Sequence, residues 1–285
     1  MIAYKIADIG FGFETSVSAE SQYFGAFRIE KDEFDSLCDR HLFTFPDYDA
    51  PDENFGKRIY DGDDYSVYST PDGFVKITER FDGENYKCLS FRRNGFSGGE
   101  LFFTGKGKTA LRTSAELFRL TDFFSSLLFY NAFLFHASVV ESGGKAYIFS
   151  GRSGIGKSTQ AELWRKHNGA KVLNGDRVIL RKVGGEWRAY GTPMCGSSDI
   201  CELFSLPVGA IIYLGQGKEN TVTLPDTFNK LGLTLSQINF VQYDSNLQSV
   251  FTELTGSLIS EVKMINYTCT AQKEAATELR KYLGI

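Results

Sequence analysis

The stretch Gly151-Arg152-Ser153-Gly154-Ile155-Gly156-Lys157-Ser158 fits G-x-x-x-x-G-K-[ST] without a mismatch. Glycines at these places let backbone N–H groups turn toward a shared anion, and a helix starting behind them adds its positive dipole end. In such a cradle Lys157 neutralises the β- and γ-phosphates of a nucleotide, and Ser158 reaches Mg²⁺ with its hydroxyl. The apolar run Ala146 to Phe149 before the loop and the helical pattern KSTQAELWRKH after it supply the strand–loop–helix setting. The plain alternative is a glycine-rich turn with a surface lysine.

A phosphate loop of this kind needs a carboxylate at the end of a neighbouring strand to help hold Mg²⁺. Asp176, in Val172-Leu173-Asn174-Gly175-Asp176, lies 19 residues beyond Lys157, room enough for a helix and a return strand. Asn-Gly-Asp is also turn chemistry, which is the structural alternative. His136 stands a short hairpin upstream. If Gly143-Gly144 makes a two-residue turn, the register sets Val140 opposite Tyr147, Ser138 opposite Phe149 and His136 opposite Gly151. Beside the first loop glycine, His136 could orient or deprotonate an acceptor or meet a phosphate as imidazolium; a packed, hydrogen-bonded histidine is the alternative. His41 and His167 receive no role. Two near misses are discarded: Gly107-Lys108-Thr109 has Phe102 where the first glycine belongs, and Gly10-Phe11-Gly12 lacks a third glycine at the dinucleotide spacing.

The elements that must position these residues follow from periodicity. In the first 110 residues, YFGAFRI (23–29), YSVYS (65–69), FVKITER (74–80), YKCLSFR (86–92) and ELFFT (100–104) alternate with period two, and turn signals fall at 81–85 and Asn94-Gly95. This half reads as antiparallel β, with the acidic passage from Asp32 to Asp64 as solvated loop. Thr113-Ser114-Ala115-Glu116 matches a capping box, and Leu117, Leu120, Phe124 and Leu127 continue at helical spacing, a face expected to pack against the C-terminal half. A boundary near residue 110 therefore divides a β-rich N-terminal domain (1–110) from a C-terminal domain (111–285). The latter alternates strand and helix, the grammar of α/β structure. VILRKVGGEWRAYG reads as a hairpin turning at Gly184-Gly185, VGAIIYLG and VKMINYTC as strands, Ser245 to Gln248 as a second capping box, and AQKEAATELRKYL as a closing helix.

With 285 residues, 42% hydrophobic and 14% aromatic, the chain has ample material for a core. Lys+Arg of 31 against Asp+Glu of 35 leaves a net charge of −4, with no global positive field for nucleic acid or anionic lipid. The run from Phe123 to Val140 is interrupted by Ser125, Ser126, Asn131 and His136, so it reads as a buried helix entering a strand rather than a membrane span. Five scattered cysteines without a C-x-x-C pair suit reduced thiols, and the start MIAYKIADIG does not read as a secretory signal. A cytoplasmic protein is expected.

Taken together, His136, the hairpin, the loop with its Gly-Lys-Ser end, Asp176 at a strand end and Gly191-Thr192-Pro193 resemble the HPr kinase/phosphorylase superfamily from about His136 to Pro193. That resemblance implies a P-loop nucleotide-binding fold, shared with ATP-dependent phosphoenolpyruvate carboxykinases, and phosphate transfer to a serine hydroxyl. It implies nucleotide binding by Gly151 to Thr159, metal binding by Ser158 and Asp176, and acceptor handling by His136. The family has paired aspartates, whereas Gly175 stands in the first place here, leaving one carboxylate for both metal and base duty. No counterpart of the family's Glu-Val-Arg-Gly-like segment is present, so HPr itself is not the expected acceptor.

The reading that unites these residues is an ATP- and Mg²⁺-dependent kinase acting on a hydroxyl of a peptide, protein or small molecule. A nucleotide-binding module without turnover is the alternative from another class, suggested by the missing aspartate. A carboxykinase-like enzyme is a third, less favoured because no arginine-rich carboxylate site is legible.

Overall fold

The computed structural model describes residues 1–15, 23–46, 55–63, 65–78, 88–93, 98–103, 113–238 and 243–285. The protein is mixed α/β with two β-sheets. Its packing divides it into two compact units, Met1–Ser126 with Val241–Ser245, and Leu127–Phe240 with Asn246–Ile285.

In the first unit the chain runs β1 (Ile2–Ile6), β2 (Ile9–Glu14), a 3₁₀ turn (Gly25–Phe27), β3 (Arg28–Ile29), α1 (Lys31–Ser36), β4 (Arg40–Thr44), β5 (Lys57–Asp61), β6 (Tyr65–Thr70), β7 (Gly73–Thr78), β8 (Cys88–Arg93), β9 (Gly98–Phe103), α2 (Ser114–Leu120) and α3 (Phe123–Leu128), which crosses into the second unit. One sheet takes the strands in the order β3-β1-β2-β4-β9-β8-β7-β6-β5. It is mixed rather than purely antiparallel, because β4 pairs in parallel with both β2 and β9. The segment 23–29 holds the 3₁₀ turn and the two-residue β3 rather than one continuous strand, and the acidic passage contains α1, β4 and β5 among its described residues. The turn signals at 81–85 and Asn94-Gly95 lie outside the described residues.

Strand β2 explains the Gly10-Phe11-Gly12 near miss. Phe11 and Phe13 pack edge-on against Phe118 of α2, at ring-centroid separations of 5.6 and 5.3 Å. On the other face, a Cβ at position 12 would stand 2.7 Å from the Phe34 ring of α1. The glycine seats a phenylalanine rather than a phosphate. The expected capping box forms: Glu116 N–H donates to Thr113 Oγ1 (3.4 Å), and Thr113 N–H donates to Glu116 Oε2 (2.9 Å). Phe118 then packs on Tyr4, Phe11, Phe13 and Phe24. The helix therefore serves the first unit, and the division falls after Ser126 instead of near residue 110. Thr121, with extended backbone, separates α2 from α3, so the expected single helix is two.

The second unit contains β10 (Ala132–Ser142), β11 (Lys145–Ser150), α4 (Lys157–Asn168), β12 (Lys171–Asn174), β13 (Arg177–Val183), β14 (Glu186–Tyr190), β15 (Ser205–Gln216), β16 (Thr221–Thr223), α5 (Thr227–Leu235), α6 (Ser245–Glu261), β17 (Met264–Cys269) and α7 (Lys273–Leu283). Its strands run β11-β10-β13-β14-β15-β17-β16, with β12 also on β10 and β11 also on β15. The first half of β10 pairs with β13 and the second half with β11 and β12, so one long strand joins two sheet segments. Strands β11, β15 and β17 are parallel neighbours. Against them pack Trp164 of α4 and Ala275 and Leu279 of α7, closing a core with Phe149, Ile212 and Ile265. Among the described residues no helix is long and apolar enough to cross a membrane.

The cysteine expectation is corrected. Cys195 and Cys201 form a disulfide with a Cα–Cα distance of 5.3 Å, while Cys38, Cys88 and Cys269 are free. A seven-residue loop containing a 3₁₀ turn at Gly196–Ser198 folds back and brings the pair together, a proximity that a search for C-x-x-C does not detect.

Candidate functional site

The loop between β11 and α4 carries three glycines at positive φ, Gly151 (136°), Gly154 (76°) and Gly156 (113°), values that residues with a Cβ rarely adopt. Gly156 caps α4, and Ile155, buried, anchors the loop in the core. Arg152, Ser153, Gly154, Ser158 and Thr159 are exposed. Lys157 is only 8% exposed: its Nζ bends back and donates to the carbonyls of Gly151 (3.0 Å) and Arg152 (3.3 Å). Burial lowers the Lys157 pKa, and the Asp176 charge opposes that shift. Gln216, at the end of β15, donates from Nε2 to the carbonyls of Gly154 and Ile155 at 3.4 Å each.

The hairpin register is the one the glycine pair requires, with Val140 opposite Tyr147 and Ser138 opposite Phe149. The β10–β11 ladder ends at Ala137 and Ser150. One residue further, His136 pairs with Arg177 of β13, and Ser150 Oγ donates to the His136 carbonyl at 2.8 Å. The His136 N–H donates to the Gln237 carbonyl at 2.9 Å. His136 thus sits where β10 passes from β13 to β11, beside the start of the glycine loop.

Asp176 follows β12 and is fixed from several sides. The fully buried Asn174 accepts at Oδ1 from the N–H groups of Asp176 (2.9 Å) and Arg177 (3.0 Å), and its Nδ2 donates to the Thr192 carbonyl (3.1 Å). Ala137 N–H donates to the Asp176 carbonyl (2.8 Å), and Thr192 Oγ1 to the Arg177 carbonyl (2.8 Å). The side chain of Asp176 then meets two cations or potential cations: His136 Nε2 lies 3.2 Å from Oδ1 and Arg177 Nε 3.4 Å from Oδ2. Burial lowers the His136 pKa, the Lys157 charge lowers it further, and Asp176 pulls it back up.

Gly175 is shaped by a close approach. A Cβ there would stand 1.8 Å from Ser198 Oγ and 2.3 Å from Ser198 Cβ, so the space next to Asp176 is filled by the disulfide-closed loop. Asn174, Arg177, Gln216 and Ser198 are the site residues that motif reading missed. Asn174 and Arg177 flank the assigned aspartate, and Asn174 closes its turn in the way Asn-Gly-Asp chemistry allows; Gln216 and Ser198 carried no sequence signal. His41 is buried in the first unit, where desolvation brings its pKa down to about 4, and it has no place in this site.

Among the described residues no group of three or more His, Cys, Asp or Glu side chains could hold a metal by itself. Asp176 offers a carboxylate and Ser158 an exposed hydroxyl, oxygen donors of the kind Mg²⁺ takes alongside waters and substrate phosphates.

No family model matches the chain, and no curated protein matches it. Among solved structures, the Hpr(Ser) kinase/phosphatase from Coxiella burnetii is similar at 11% identity and a TM-score of 0.25, over 43% of this chain and 88% of that one. The resemblance is weak and partial.

Proposed function

We propose that this chain is a phosphotransferase that binds ATP at Gly151 to Thr159 and moves the γ-phosphate to a hydroxyl of a peptide, protein or small molecule in the cytoplasm. The observation that carries this reading is the convergence of a preformed glycine loop, a buried Lys157 and the His136–Asp176 pair at one end of β11. Lys157 exchanges its two loop carbonyls for phosphate oxygens, at little cost because those hydrogen bonds are replaced in kind. The exposed N–H end of α4 adds a positive dipole. Mg²⁺, held by Ser158 and Asp176, would supply further neutralisation of phosphate charge.

His136 handles the proton. With Nε2–H donated to Asp176, Nδ1 is the ring nitrogen free to accept the hydroxyl proton as the new O–P bond forms and the bond to ADP breaks. Arg177 shares the carboxylate and adds a positive charge to the same place. One observation favours a second reading, a binding module without turnover: Ser198 fills the space where a residue-175 side chain would stand.

Titration calorimetry with ATP and Mg²⁺, followed by phosphate-transfer assays on peptide and metabolite extracts, tests the proposal. Binding that depends on Lys157 together with transfer that depends on Asp176 is the expected result. Binding without hydrolysis or transfer transfers the case to the passive module.

A further inference from the structure

The loop closed by Cys195 and Cys201 packs its backbone on the one carboxylate of the site. Gly196, at φ +59°, approaches so closely that a Cβ there would stand 2.8 Å from Asp176 Cβ and 2.9 Å from its Cγ. Ser198 lies over Gly175, held by its own Oγ donating to the Cys195 carbonyl at 2.7 Å. The far end of the loop is stitched to the strand that delivers Asp176: Cys201 bridges Asn174, and Glu202 N–H donates to the Leu173 carbonyl at 2.9 Å. The near end follows Thr192, which accepts from Asn174 and donates to Arg177 through its hydroxyl. The disulfide therefore joins the two ends of a strap that crosses the Gly175-Asp176 turn.

We propose that this strap is a redox-labile positioning element: with the Cys195–Cys201 bond closed it holds Asp176 against His136, and its reduction frees Asp176 and slows transfer without weakening nucleotide binding. The activity part rests on the phosphotransferase reading; the positioning part does not. The reductant is a dithiol. Its thiolate attacks Cys201, the less buried of the pair, Cys195 leaves as thiolate and takes up a proton, and the second thiol of the reagent closes a cyclic disulfide as Cys201 is released as a thiol. The two electrons come from the dithiol, and no metal or cofactor is needed. The glycine loop lies on another connection, from β11 to α4.

The test compares three states of the full chain: oxidised, reduced with dithiothreitol, and Cys195→Ala/Cys201→Ala. Hydrogen–deuterium exchange reads the positioning directly, because the Asp176 and Arg177 amides are held by Asn174 Oδ1. In the reduced protein and the double variant, exchange at 175–177 and 196–202 is expected to rise while exchange at 151–156 stays unchanged. Transfer should fall about a hundredfold, the usual cost of a small misplacement near the chemistry, with ATP affinity the same. The reduced wild type guards against a variant that fails to fold. Equal exchange at 175–177 in oxidised and reduced wild type overturns the proposal. Altered exchange with no transfer in any state supports the positioning role and counts against the phosphotransferase reading instead.

Discussion

The Nε2 atom of His136 stands 3.2 Å from Oδ1 of Asp176, at the point where β10 passes from one partner strand to the next. Burial and Lys157 lower the histidine's pKa from its ordinary 6.5, against the pull of Asp176. The neutral form is the one favoured by the fold. Its contribution to stability is complete above the unfolded-state pKa and is lost as pH falls through the lower folded value. Transfer that uses the neutral ring should show an acid limb below pH 6.5, absent in His136→Ala. Asp176→Asn removes the raising influence and should move the His136 titration further toward acid. Imidazole NMR across the titration checks both; a wild-type value at or above 6.5 contradicts the assigned environment.

Lys157 makes its two hydrogen bonds to loop carbonyls, so removing its ammonium costs the folded chain little. Lys157→Ala should keep the circular dichroism and melting behaviour of the wild type. Its affinity for ATP should fall about 10–100-fold, the equivalent of one charge-assisted hydrogen bond of ~1.5–3 kcal/mol. Calorimetry at constant Mg²⁺ measures this, and equal affinities would remove the phosphate cradle from Gly151 to Ser158.

Restoring a carboxylate beside Asp176 should fail unless the strap gives way. Gly175→Ala places a Cβ 1.8 Å from Ser198 Oγ and should destabilise the protein by about 1–3 kcal/mol through overpacking. Ser198→Gly removes both close atoms, so the double variant should recover most of that loss in urea melts. Gly175→Asp should likewise be tolerated only with Ser198→Gly.

Much of this site was legible because local rules govern it. A glycine pair fixes a two-residue turn, and that turn fixes the register of β10 on β11 out to Ala137 and Ser150, one residue short of His136. The loop glycines and Asp176 are similarly tied to their spacing. Strands β1 and β2 were illegible for the opposite reason: β2 is buried on both faces, so it lacks the alternation of a half-exposed strand. Helix α5 was missed because Phe228 and Leu231 on it are exposed rather than turned into a core. Gly175 read as a lost ligand, whereas the structure makes it a space for Ser198, and the Cys195–Cys201 pair depends on a loop path that spacing does not encode.

In the first unit, Arg92 Nη2 donates to Asp244 Oδ2 at 2.6 Å in a nearly dry setting, and Asp122 accepts from the Tyr243 hydroxyl. Arg92→Leu leaves the Asp244 carboxylate without that partner and should cost about 3–5 kcal/mol, read from urea denaturation. Burial acts against ionisation of Asp122, but Lys76, Arg92 and the Tyr243 hydroxyl outweigh it and hold its pKa below the usual carboxylate range. That stabilisation is present above the unfolded pKa and is lost as pH falls through the folded one, so the wild type should weaken toward strong acid. Arg92→Leu should flatten this part of the profile, since one of the depressing charges is gone.

Asp176 separates an enzyme from a passive binder. Its carboxylate faces His136 on one oxygen and Arg177 on the other, while the backbone around it is held by Asn174, Ala137 and Thr192. Asp176→Asn preserves shape and most backbone hydrogen bonds, so the glycine loop should remain as it is. Loss of the charge removes the orienting partner of His136 and the carboxylate available to Mg²⁺. Transfer, or slow ATP hydrolysis before an acceptor is known, should drop about 10²–10⁴-fold while ATP affinity changes only modestly. Single-turnover rates alongside calorimetry give the two numbers separately. A variant that hydrolyses and transfers at the wild-type rate would mean that the carboxylate only closes a turn, and that His136 keeps its orientation by its backbone hydrogen bonds alone.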